Sequence, residues 1–200
     1  MEPEWIIGID KAGRGPLAGP VAVGAVALPA ARAAWSCWAG LKDSKQLTEK
    51  QRETWYGALA GDPHVRSAVA LSDAATIDAD GIVPAILDAA QRAIASLSIR
   101  TADAEVLLDR GISLPAAWRQ EQHTKGDERF PAIALASIMA KVTRDRYMVR
   151  LAQEHPLYGF ERHKGYGTKL HQERLRAHGP IPRVHRLTFI TGLTAKAEEV

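Results

Sequence analysis

Trp5-Ile6-Ile7-Gly8-Ile9-Asp10 is the stretch that decides the fold class. It is a short run of apolar and β-branched residues that ends on an acid, which is the pattern of a buried strand. Lys11 to Pro20, crowded with glycine and proline, reads as a loop. A second apolar run, Val21 to Leu28 (VAVGAVAL), reads as another strand. Two more strands are expected over 65–71 and 105–109, the latter EVLLD, again closing on an acid. Helices are expected elsewhere. Thr48 and Gln51 have capping-box spacing ahead of a helix over 49–60. Ile86, Leu87, Ala90, Ile94 and Leu97 recur at helical period within 84–97, and a long helical segment covers 133–151. Thr168 is placed to cap a helix over 169–178 that Gly179 ends. Strands come first and then alternate with helices, which argues for an α/β fold with a mixed sheet covered by helices.

Composition agrees and narrows the function classes. The 200 residues are 46% hydrophobic and 24% charged, values of a globular chain of one domain rather than a disordered or fibrous one. No apolar run approaches membrane-spanning length, and the acidic start Met-Glu-Pro-Glu lacks a signal-peptide pattern, so a cytoplasmic protein is expected. The single cysteine, Cys37, excludes an internal disulfide framework and a cysteine-rich zinc site. The net charge of +3 hides an asymmetry: residues 141–186 carry 11 Lys and Arg against 4 Asp and Glu, and hold 5 of the 7 histidines. Such a basic segment suits a polyanion, because Lys and Arg gain affinity by releasing phosphate counterions; a solvated helical face is the plainer alternative. The histidines lack zinc-site spacing, so phosphate or surface contacts are expected of them. A monomer is the default, since no dedicated apolar interface is visible.

Asp10 and Asp109 close two expected strands, the position where α/β proteins place ligand groups, and Asp127 lies in the polar stretch Lys125-Gly126-Asp127. Converging carboxylates suit Mg2+ or Mn2+, while isolated aspartates more often serve turns. Gly13-Arg14-Gly15-Pro16-Leu17-Ala18 superficially fits a dinucleotide fingerprint, but strand rather than helix follows, so a nicotinamide site is rejected. The loop can still bring backbone close to a ligand, with Arg14 as its charged reader.

The opening motif Gly8-Ile9-Asp10-Lys11-Ala12-Gly13-Arg14-Gly15-Pro16-Leu17-Ala18-Gly19-Pro20 resembles that of the bacterial ribonuclease HII family. The blocks Asp43-Ser44-Lys45, Leu107-Leu108-Asp109, Lys125-Gly126-Asp127, Ala136 to Asp145, and His163 to Thr168 with His185-Arg186 follow in family order. The resemblance implies a ribonuclease H-like fold, with a catalytic core over 1–160 and a small C-terminal helical extension over 161–200. It implies cleavage of RNA in RNA–DNA hybrids and at single ribonucleotides in duplex DNA, assisted by Mg2+ or Mn2+, with a place in ribonucleotide excision repair and DNA replication. The family's four acidic positions fall on Asp10, Lys11, Asp109 and Asp127; its Gly-Arg-Gly loop on Gly13, Arg14 and Gly15; its junction-sensing tyrosine on Tyr166. Asp10, Asp109 and Asp127 are then the expected metal ligands. Lys45 and the basic C-terminal third would hold phosphates without reading sequence. Ser137 and Asp145 read as supporting residues, Asp145 as an exposed or locally paired acid.

Position 11 departs from the pattern. The family's second acid, a glutamate, is a lysine here. A protonated lysine has no lone pair for a metal, and neighbouring carboxylates keep it charged. A divalent pair and Lys11 should not coexist unless the lysine swings away. Three accounts stay open: a substitution that blocks cleavage while keeping fold and binding, a natural member with impaired catalysis, or an ammonium standing in for one cation of a one-metal nuclease.

Overall fold

The structure, a computed structural model, describes residues 2–194. Met1 and the final part of the expected C-terminal extension, 195–200, lie outside the described residues. Five strands form one mixed sheet in the order β3-β2-β1-β4-β5. They are β1 (Trp5–Ala12), β2 (Val21–Pro29), β3 (Arg66–Ser72), β4 (Ala104–Asp109) and β5 (Gln120–His123). β1 and β3 run antiparallel to β2, whereas β4 is parallel to both β1 and β5. The helices are α1 (Glu49–Gly61), α2 (Ala74–Asp80), α3 (Ile82–Ala95), α4 (Gly126–Arg129), α5 (Pro131–Glu154), α6 (Phe160–His163), α7 (Lys169–His178) and α8 (Leu187–Thr194). None of the described helices is long and apolar enough to cross a membrane.

Strand periodicity divides the sheet into two apolar faces. Ile7, Ile9, Val23 and Leu108 pack on α3 through Ile86, Ala89, Ala90 and Ala93. On the other face Val26 and Leu28 meet Ala132, Leu135, Ala136 and Met139 of α5, with Leu59 of α1. Helix α5 lies very close to the sheet because two strand residues have no side chain. A Cβ on Gly8 would come 2.0 Å from the Ala132 carbonyl carbon, and one on Gly24 would come 2.4 Å from the Ala136 oxygen. Asp10 sits opposite Gly24 in the antiparallel register, so this close approach carries Ser137 up to Asp10. A third cluster, including Ala18, Met148, Phe160, Leu175 and Ile190, joins the C-terminal helices to the later turns of α5.

Several local expectations are met. Thr48 and Gln51 form a reciprocal capping box, and the Thr168 hydroxyl accepts the His171 N–H at the start of α7. Others need correction. β1 continues to Ala12, so Lys11 is a strand residue paired with Val23 rather than the first residue of a loop. The helix expected over 84–97 begins two residues earlier and ends at Ala95. β5, α2, α4, α6 and α8 have no counterpart among the expected elements. β5 (QEQH) is a polar strand at the sheet's edge, with nothing of the apolar alternation that marks a strand in sequence.

Candidate active site

Asp10 and Asp109 lie at the C-terminal ends of neighbouring parallel strands, the usual place for functional groups in such sheets. Asp127 reaches the same place from the first turn of α4, a short helix entered through Lys125 at φ 54°. A cleft of about 510 Å3 is lined by Asp10, Lys11, Gly13, Arg14, Gly15, Lys45, Asp109, Asp127 and Tyr166. All nine residues singled out from the sequence therefore share one cavity.

Lys11 does not swing away. Its Nζ donates to Asp109 Oδ2 at 2.7 Å and to the Arg110 carbonyl at 2.9 Å, and its side chain is only 10% exposed. Asp10 is buried and accepts the Lys11 backbone N–H at 2.7 Å. Burial first, then the Asp109 carboxylate, push the Asp10 carboxyl up to about 7, against the opposing pull of the Lys11 N–H, the Lys11 ammonium and the Ser137 hydroxyl. Asp127 is also buried, and Lys45 Nζ donates to its Oδ2 at 3.1 Å from a mostly exposed side chain. Burial disfavours the charged form of Lys45, but Asp127 and Asp43 outweigh it and hold its pKa above the ordinary lysine value.

The glycine loop and Tyr166 are fixed from behind by two buried arginines, neither of which has a carboxylate partner among the described residues. Arg144 donates to the carbonyls of Pro20, Ala18 and Lys164 at 2.9–3.1 Å. Arg186 donates to those of Gly13, Arg14 and Gly19 at 2.7–3.0 Å. Burial, and next the nearby Arg144 charge, pull the Arg186 guanidinium down to about 9, so it remains charged at neutral pH. Arg144 also lies 5.7 Å from the centre of the Tyr166 ring, a cation–π distance. Tyr166 is 43% exposed at the cleft, not a buried core tyrosine.

Three of the five C-terminal histidines require a correction. His163, His171 and His185 are buried, not available for phosphate or surface contacts. Their hydrogen bonds fix each tautomer. Ile181 N–H donates to His185 Nδ1, so His185 Nε2 carries the proton and donates to His171 Nε2 at 3.1 Å. His171 Nδ1 then donates to the Tyr166 carbonyl at 3.0 Å. His163 accepts Gly165 N–H at Nδ1, donates from Nε2 to the Tyr158 carbonyl, and stacks on His171. Burial drives the pKa of His171 and of His185 down to about 4, so the chain of neutral rings holds Tyr166 by its backbone.

The sequence underrated several cleft residues. Ser137 and Ser44 share a 2.8 Å hydrogen bond in the cleft wall beneath Asp10, and Arg52, Lys125, Glu128 and Lys141 line it as well. Ser137 is the supporting group expected of it; its cue is the residue after Ala136, which packs on Gly24. Asp145 is locally paired with Lys141 at 2.8 Å and lies outside this cleft.

A sequence profile of the family "Ribonuclease HII" matches residues 7–192. The chain belongs to the ribonuclease HII family. A ribonuclease HII of Caldicellulosiruptor bescii is 40% identical over 190 residues, covering 94% of this chain and 88% of that protein. The solved PCNA:RNase HII complex from Archaeoglobus fulgidus contains a chain 25% identical, with a TM-score of 0.73 and coverage of 94% and 96%. A Bst-RNase HIII crystallised with Mn2+ shares the fold, with a TM-score of 0.75 at 20% identity, over 98% of this chain and 71% of that one.

The donor set of this ribonuclease HII chain does not fit a pair of divalent ions. Of its three site aspartates, Asp109 is engaged by one ammonium and Asp127 by another. Among the described residues no group of three or more Asp, Glu, His or Cys is arranged to hold a metal. At roughly 4 Å and an effective dielectric near 20, the Lys11 charge repels a divalent cation by about 8 kcal/mol, twice the value for unit charges.

Proposed function

We propose that this chain is a ribonuclease H-type protein that engages the RNA strand of RNA–DNA hybrids and single ribonucleotides in duplex DNA, with hydrolysis impaired by Lys11. The family supports the substrate class. In the proposed arrangement the backbone of Gly13 and Gly15, with Arg14, meets the 2′-hydroxyl, the group that distinguishes RNA from DNA. Tyr166 stacks at the ribose–deoxyribose step. Lys45 and the basic C-terminal third hold phosphates. On the family resemblance, Asp10, Asp109 and Asp127 take the part of its Mg2+ or Mn2+ ligands.

The observation that carries the impairment is the 2.7 Å contact between Lys11 Nζ and Asp109 Oδ2. Where the resemblance implies a metal-fixing glutamate, this chain has a group that competes for a carboxylate the ion would need. A protein that binds hybrids without cutting them is the second reading, and the same contact favours it. Turnover separates the two. A duplex carrying one ribonucleotide is incubated with the chain and with Lys11→Glu, in Mg2+ and separately in Mn2+. Slow cleavage by the chain and faster cleavage by Lys11→Glu is the expected result. Equal rates sink the role given to Lys11. No cleavage by the chain, with cleavage by Lys11→Glu, selects the binding-only reading.

A further inference from the structure

The cleft differs from a metal-dependent one in how its charge is balanced. Six cationic side chains line it against five carboxylates. Two of those cations are already seated on site aspartates, Lys11 on Asp109 and Lys45 on Asp127. Lys11 is the better organised: it is nearly enclosed, held by two acceptors, and has a third N–H with no protein acceptor among the described residues. A cleft of bare carboxylates repels a phosphodiester until cations enter from solution. This cleft carries its own cations, one of them tethered at the end of β1 with a donor to spare.

We propose that this chain binds its nucleic-acid duplex without a divalent cation, the Lys11 ammonium together with Lys45 neutralising the site aspartates and meeting the backbone phosphate. The inference rests on the hybrid-binding reading above, and concerns binding rather than cleavage. It makes the sign of the Mg2+ effect diagnostic. Where a metal bridges protein and phosphate, Mg2+ tightens the complex. Where fixed lysines do that work, Mg2+ only competes as a counterion for the phosphates, and binding stays level or weakens.

The test measures fluorescence anisotropy of a labelled duplex with one ribonucleotide, in EDTA and then in millimolar MgCl2 at one ionic strength. For the chain, the Kd in EDTA should lie within about twofold of that in Mg2+ or below it. Lys11→Glu should bind about tenfold or more weakly in EDTA and recover when Mg2+ is added. Lys11→Met, neutral and of similar volume, should fall between them. Thermal melts report whether each variant is folded, and the measurement on the unmodified chain stands without any variant. Mg2+ tightening the chain's own binding by about tenfold overturns the inference while leaving hybrid binding intact. Lys11→Glu binding as tightly as the chain in EDTA overturns the part assigned to Lys11. Failure of the chain to bind under either condition overturns the hybrid-binding reading and this inference with it.

Discussion

Gly13 and Gly15 bracket Arg14, and the structure assigns them different reasons for being glycine. Gly13 adopts φ 86°, and a Cβ there would come 2.0 Å from Arg144 Nε. That guanidinium cannot retreat cheaply, because three backbone carbonyls hold it in a buried position. Gly13→Ala therefore combines left-handed strain of about 1–2 kcal/mol with overpacking of about 1–3 kcal/mol, a loss of roughly 2–5 kcal/mol. For a protein of this size that corresponds to a melting temperature lower by about 5–20 °C. Gly15 has no positive φ, and a Cβ built there meets nothing within 4 Å. Its bare backbone is required by nothing in the protein, yet it lines the cleft. Gly15→Ala should melt within about 1 kcal/mol of the original chain, or slightly above it, because alanine restricts the unfolded state. It should nevertheless lose preference for a ribonucleotide-containing duplex over the all-DNA duplex. Thermal melts and paired anisotropy titrations measure both halves. Unchanged preference in Gly15→Ala refutes the assignment of that open backbone to the ligand, and an unshifted melt of Gly13→Ala refutes the packing described behind the loop.

Three further outcomes are expected. His171 and His185 are held neutral in the fold with pKa values near 4 against an ordinary 6.5, so the unfolded chain takes up protons first as pH falls from about 6.5 towards 4. The histidine contribution is complete above that window and declines through it, with the lowered His163 acting in the same direction and Asp10, raised to about 7, acting against it. Melts between about pH 6 and 4.5 should fall with acid, and a rise across that range would refute the neutral histidine pair. Arg186→Met strands three carbonyls, those of Gly13 and Gly19 in buried hydrogen bonds, and should cost about 2–4 kcal/mol by chemical denaturation, with Arg186→Lys recovering only part because one ammonium cannot match a three-pronged fork. Lys11→Glu should be less stable than the chain in EDTA and regain stability on adding Mg2+, by thermal melt; equal stability in EDTA would show that the Lys11–Asp109 pair does not relieve carboxylate repulsion.

Much of the architecture was legible because local chemistry and tertiary packing agree. The runs ending in Asp10 and Asp109 are apolar enough to be central strands, and the caps at Thr48 and Thr168 carry their own hydrogen-bond logic. β5 was not legible, since its side chains are polar and its strand geometry comes from pairing with β4. α2 had a readable cue in the Asp73 side chain, which accepts the Thr76 N–H, but the following Gly81 at φ 89° interrupts the apolar pattern that would have joined it to α3. The nine cleft residues were legible through motif order, but not their supports. Arg144 and Arg186 sit in basic stretches where charge reads as surface. Their burial comes from carbonyls of a loop more than a hundred residues away, which no local pattern displays.

Position 11 shows why the fold and the family say little about turnover here. The Lys11 backbone pairs with Val23 as any strand residue would, so the β1–β2 ladder is indifferent to the side chain. No apolar cluster depends on it, so nothing in the core selects glutamate over lysine. The electrostatics are not indifferent. Asp10 is buried, with Asp109 across the strand gap already pushing its pKa upward. A third carboxylate beside them would raise the repulsion further, whereas an ammonium at 2.7 Å from Asp109 lowers it. Sites built to hold divalent ions are strained without them, and the residue that best relieves such strain is the one least able to ligate a metal. A lysine at position 11 should therefore stabilise the metal-free fold relative to a glutamate there and, on the proposed function, make a poorer hydrolytic site. These consequences have one physical origin. Stability in EDTA should therefore fall, and cleavage in Mg2+ rise, along the series from the unmodified chain through Lys11→Met to Lys11→Glu.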